Sequence, residues 1–334
     1  MAHTTEIMVN GILTQVTEFD HSAQDIDDAV DALNGAKTPQ EALANLGAGV
    51  RPSRIVNGGF KENQRGKNSY TGAWNYCFDG WVLSSNMTIE KSGNGDIVVS
   101  NTSASENGYL IQRIESPLFD VVSTFSVVTN EGVFCATGNM NSVSHDGFSE
   151  STSFGSVSVE WDSSWQYVSI GLRAGQSITF PTSKGVVAKF EDGLNQTLAY
   201  QKSDGTLEPI PQPDSKPGQI LAECQRYIYS PFYGAFPTAP IGTVFVSNQT
   251  TGFVVVKTPV LMRTKPVFSG DPSKLWIVKS NGGGAQRPSA LSVMGMSGCG
   301  VFLSVTASFE DGGQYIMYSE DISNPSDFLL SAEL

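Results

Sequence analysis

The sequence predicts a mainly β protein in which a short N-terminal helical stem leads into two antiparallel β-sandwich-like domains. Three observations carry that expectation. Short runs with period-two alternation recur from about Ile55 onward, as where Val157 and Val159 face away from neighbouring serines, and no long helical pattern intervenes. The chain has 34 glycines, and pairs such as Asn94-Gly95, Asn107-Gly108 and Asp204-Gly205 supply turns between the runs. At 334 residues the chain is longer than the ~250 to 300 over which one core usually extends.

The stem is assigned to residues 1–53. Ser22 supplies a capping hydroxyl, Asp25 stands where a reciprocal bond would form, and acidic residues occupy the first turn, so a helix is expected over Ala23–Leu33. Its apolar residues Ala23, Ile26, Val30 and Leu33 form one narrow seam instead of the broad stripe that a globular core requires. A helix this short is marginal alone. The seam therefore predicts a parallel homotrimer, with docking of the helix on its own downstream domain as the alternative. A second short helix is expected from Thr38-Pro39-Gln40-Glu41 to Leu46, ended by Gly47.

Residues 54–208 are expected to form the first β-sandwich, since alternating strands without covering helices must bury one face on another sheet. Pro209, Pro211, Pro213 and Pro217 then fix φ and remove donors, which reads as a semi-rigid connector over 209–218. Residues 219–334 form the C-terminal β domain. Its strands are expected at Leu221–Tyr229, within Gly242–Lys257, and at Leu275–Val278, Gly300–Phe309 and Gln314–Tyr318. The loop Asn281–Gly284 lacks the Lys-Ser/Thr ending of a phosphate loop and reads as a strand connection.

Composition narrows the chemistry. A net charge of -13, from 20 Lys and Arg against 33 Asp and Glu, disfavours nucleic acid as a partner. No apolar run approaches ~20 residues, so membrane insertion is not expected, and MAHTTEIMVNG lacks the basic and apolar regions of a secretory signal. Cys77, Cys135, Cys224 and Cys299 are far apart and read as small buried thiols, with neither a metal site nor a disulfide framework. Of the histidines, His3 and His21 precede the globular part and His145 has no GxSxG elbow. The expectation is a non-enzymatic protein without cofactor or metal. What remains are aromatic rings, which stack on sugar faces while their rims tolerate water. The candidate ligand-facing rings are Trp74, Tyr76, Trp165, Trp276 and Tyr315.

Several runs carry a resemblance. The stretch LNQTLAYQKSDGTLEPIPQPD followed by LAECQRYIY, the stem SAQDIDDAVDALNGAKTPQEALANLGAGVRP, the segment IVNGGFKENQRGKNSYTGAWNYCFDGW, and the ending from TPVLMRTKPVFSG to SAEL resemble phage tail-fibre-like and receptor-binding-like virion structural proteins. That resemblance implies a virion component, a homotrimer held to other virion proteins by its stem, with a carbohydrate-binding-module-like sandwich and a distal β domain for adhesion to host-surface glycan. A capsid-decorating head fibre or structural adaptor is the alternative, and a glycan depolymerase is a third. The chain departs from the pattern at Asp79-Gly80-Trp81, where an arginine is usual in the middle position, and over Glu106–Glu150, which has no counterpart.

Overall fold

A computed structural model describes residues 3–9, 12–18, 51–115, 120–139, 147–161, 166–201, 206–210, 212, 217–233, 239–310, 313–319 and 324–333. The chain is mainly β, and every strand pairing is antiparallel. In the N-terminal part the described residues form a hairpin of His3–Val9 and Ile12–Glu18 rather than a helix. Across the hairpin His3 pairs with Glu18 and Val9 with Ile12. The expected seam of Ala23, Ile26, Val30 and Leu33 lies outside the described residues, as do both expected stem helices.

Buried apolar side chains fall into two separate clusters. The first lies between a six-stranded sheet, ordered 148–151, 155–161, 166–172, 108–114, 82–83 and 75–76, and a four-stranded one, ordered 177–180, 97–101, 87–91 and 69–71. A three-stranded sheet of 132–139, 122–129 and 188–192 completes it with Phe125, Val127 and Phe190. Period-two patterning decides which side chains enter. Val157, Val168, Ile170 and Leu172 are all fully buried, while the outer positions of the four-stranded sheet carry Thr88, Glu90, Ser100 and Thr179. At one end Phe60 stacks between Trp81 and Phe180, with centroids 5.0 and 5.5 Å away.

The second cluster lies beneath a seven-stranded sheet ordered 285–286, 275–279, 315–319, 240–248, 251–257, 300–306 and 290–297. Phe328 and Leu330 reach it from a three-stranded sheet of 228–229, 328–331 and 267–270. The strands expected within Gly242–Lys257 and near Leu275, Gly300 and Gln314 are all present. The loop Asn281–Gly284 joins two paired strands, with Gly282 at φ 83°, a backbone region that glycine adopts without strain.

Two expectations at the junction are corrected. Leu221–Tyr229 is not a single strand: Pro217–Gln225 is an α-helix and only Ile228–Tyr229 pairs as a strand. Proline at the first helical position has no donor to lose, and its fixed φ suits the helix, so the last proline of the run starts an element. The connector is also shorter than expected. Leu207–Pro209 pairs with Ala199–Gln201, Ile210 donates its N–H to Leu198 O, and the buried Gln212 donates to Thr197 O and Ile210 O. The chain therefore stays attached to the first β region through residue 212.

Candidate functional site

The two cores meet across a buried polar network built from runs far apart in sequence. Gln64 is fully buried and receives and donates on every side. Its N–H and Nε2 donate to the two carboxylate oxygens of Asp79, each at 3.0 Å, and Nε2 also donates to Ile228 O at 2.8 Å. Its Oε1 accepts from Ser230 N. Beside it Arg65 ion-pairs with Glu333 and lies 3.8 Å from Asp79. Glu62 accepts from Tyr233 OH at 2.9 Å, and Asn57 clamps the Glu62 backbone while accepting the Trp81 indole N–H on its own carbonyl. At the outer edge Glu115 takes bonds from Arg226 and Tyr227.

The electrostatics follow from one cation facing two carboxylates. Asp79 is completely buried and Glu333 nearly so, and removal from water penalises both charged forms. Burial outweighs the help from Arg65 and Gln64 and pushes the Asp79 carboxyl up to about 7. Glu333 and Glu62 are raised for the same reason. Burial alone would lower Arg65, but the Glu333 charge and bond overcome it and keep its pKa above the ordinary value. The Cys77 thiol is pushed up to about 12 by burial. These groups tie two sheets together.

Above the network is an open groove of about 780 Å³ between the two β regions. One wall carries Lys67, Tyr70, Asn75 and Tyr76, the other Asp271 and Asp327, with Arg65 and Glu333 at the base. The Arg65 guanidinium packs over the Tyr76 ring, 5.4 Å from its centroid. Burial holds the Tyr76 phenol up at about 12, so it stays neutral and can both donate and accept. Tyr70 is fixed by a bond to Asn63, by accepting from Lys67 N, and by an edge contact with Phe78. Asp271 accepts from Ser273 N at the start of a short 3-10 helix, which lowers its pKa. Anchored rings beside carboxylate, amide and cationic groups can recognise a hydroxyl-rich ligand.

Only part of the expected site is assembled here. Tyr76 lines the groove, and Trp74, two positions earlier, is 62% exposed. Trp276 belongs to the seven-stranded sheet, with Arg287 stacked 4.2 Å from its ring centroid. Tyr315 is a correction: it is 4% exposed, packs edge-on against Phe309 and accepts from Glu310 N, because alternation points it into the second core. Trp165 lies outside the described residues. Asp79, Arg65 and Glu333 were missed, although a carboxylate inside the apolar run Cys77-Phe78-Asp79-Gly80-Trp81 was the available signal. The cysteines divide, with Cys77 and Cys224 buried as expected, Cys135 half-buried, and Cys299 exposed in the turn after Ala290–Ser297.

Gly80 shows why an arginine has no place at that position. Its φ is 86°, and a Cβ there would lie 2.8 Å from Val56 Cγ2 and 3.2 Å from the Gln112 amide. Among the described residues, no helix is long and apolar enough to cross a membrane, and no group of three His, Cys, Asp or Glu is placed to hold a metal ion. No family model matches the chain, and no curated protein matches it.

Proposed function

We propose that this chain is a non-enzymatic adhesion protein of a phage fibre or spike, and that the groove between its two β-sandwich-like domains takes a host-surface glycan. The observation that carries this reading is the anchoring of Tyr76 by Arg65 in a groove whose walls come from both domains. A platform held by a buried ion pair loses little freedom on binding, which favours affinity from few contacts. The resemblance of the runs around Arg65, Arg226 and Glu333 to receptor-binding-like virion proteins supports the same reading.

The test is binding of the full chain to whole bacterial cells and to an array of extracted surface glycans, beside Asn75→Ala and Tyr76→Ala. Expected is saturable binding that both substitutions weaken at least tenfold. Binding that neither alters would remove the groove from the reading, and an absence of binding to any surface would overturn adhesion. Release of reducing ends from a bound glycan would favour the depolymerase instead.

A further inference from the structure

The outward face of the seven-stranded sheet exposes several large apolar side chains. Alternation in the strand Pro240–Asn248 sends Val244 into the core and Phe245 outward, where it is 62% exposed. Strand register then gathers apolar side chains on this face. Phe245 stands opposite Phe253, Val255 opposite Phe302, and Ile316 opposite Val278. Phe302 is 39% exposed, and Met294, lifted by a register shift between Val293 and Gly295, is 55% exposed.

Charge distribution sets this face apart from the sheets of the first region. The chain has 33 Asp and Glu and a net charge of -13, yet none of the seven strands contains a carboxylate. Strands of the first region do carry them, as at Glu90, Glu150 and Glu160. Copies of so acidic a chain repel one another wherever carboxylates face, and this surface is free of that repulsion.

Size completes the argument. The seven strands hold 43 residues, which at about 3.3 Å rise and about 4.8 Å spacing give the whole face roughly 600 to 700 Å². That approaches the ~800 Å² each partner contributes to a standard stable interface. An aligned packing of two such faces would form an intermolecular sandwich with side chains interdigitating.

We infer that copies of this chain associate through the outward face of the seven-stranded sheet, with Phe245, Phe253, Val255 and Phe302 at the centre of the contact. This association does not depend on the adhesion reading, nor on the N-terminal seam.

Light scattering on the full chain at micromolar concentration tests it, beside Phe245→Ser/Phe302→Ser and, separately, Ser304→Glu. Ser304 lies on the same face, opposite Phe253, and its replacement removes no core packing while placing a carboxylate in the contact. Expected is an oligomer for the parent chain and a monomer for both variants, with thermal midpoints within a few degrees of the parent. A monomeric parent chain would overturn the inference. So would an oligomer that survives Ser304→Glu, the result if the N-terminal segment alone holds copies together or covers this face.

Discussion

Arg65 is ion-paired with Glu333, 268 positions later in the chain, and the pair is sealed between the two cores. With Asp79 on its other side, Arg65 is the charge on which two buried carboxylates depend. Removing one partner of such a cluster leaves charge in a low-dielectric site, a larger effect than the net value of the intact pair. Arg65→Ala is therefore expected to lower unfolding free energy by about 3 to 5 kcal/mol. Denaturant titration followed by tryptophan fluorescence measures it. A loss below about 1 kcal/mol, as for an exposed pair, would show that the junction is hydrated.

Asp79 gives the junction a pH dependence of known sign. Its folded-state pKa is raised from 3.8 to about 7, so the folded state binds the proton more tightly than the unfolded chain. The resulting stabilisation is complete below 3.8 and is lost as pH rises through about 7. Glu62 and Glu333 act in the same direction. The thermal midpoint is expected to fall as pH rises from about 4 to about 7, with a flatter profile in Asp79→Asn. Equal slopes in the two proteins would locate the dependence elsewhere.

Lys189 and Glu191 form a second buried ion pair at 3.4 Å, both side chains fully enclosed. The ammonium also donates to Thr197 Oγ1 at 2.7 Å and to Gln212 Oε1 at 2.6 Å, which attaches the end of the first region to its three-stranded sheet. Lys189→Ala is expected to destabilise by about 3 to 5 kcal/mol, while Lys189→Met with Glu191→Leu should recover only part of that loss, since Glu191 also pairs with Arg51 and accepts from Thr197. Calorimetry on the three proteins separates the cases. A double variant no better than Lys189→Ala would assign the loss to the further partners of the pair, Arg51, Thr197 and Gln212.

These sites also show what the sequence could reveal. Strands such as Gly155–Trp161 and Gln166–Leu172 are legible because large apolar side chains alternate with small or polar ones, even though Ser158 and Ser169 on the second face are buried too. The helix Pro217–Gln225 was not, because a proline run suggests a linker until its final proline is seen to occupy a helix start. Tyr76 was found through its ring, whereas Tyr315 has the same ring on the inward side of its strand, and facing is set by register. Arg65, Asp79 and Glu333 could not be brought together by any local rule, since tertiary folding alone sets their proximity. Gln64 and Arg65, Arg226 and Tyr227, and Glu333, from runs far apart in sequence, all lie at this junction.

Gly80 tests how tightly the junction is packed. Its φ of 86° and the 2.8 Å approach of Val56 to a hypothetical Cβ mean that Gly80→Arg adds both backbone strain and a steric clash next to Asp79. The expected cost is at least about 2 kcal/mol from strain and overpacking together. A smaller loss would mean that Val56 and Gln112 shift freely.

Trp74 combines two unfavourable features, which makes its replacement informative. Its backbone sits at φ 62°, a region that bulky residues rarely occupy, and its ring is 62% exposed. The turn is held there by neighbours: Gly72 donates to Met87 O, and a Cβ on Gly72 would lie 1.8 Å from Ser84 O. Strain of this kind persists only where surrounding structure imposes it, and costs about 1 to 3 kcal/mol. Trp74→Gly should relieve it and raise stability by up to about 1 kcal/mol, the unfolded glycine's greater freedom offsetting part of the gain. If the indole extends the groove beside Asn75 and Tyr76, the same variant loses cell binding while melting higher. A variant that melts higher but binds unchanged would restrict the ligand to the groove itself, and one that melts lower would show that the ring packs on its own domain.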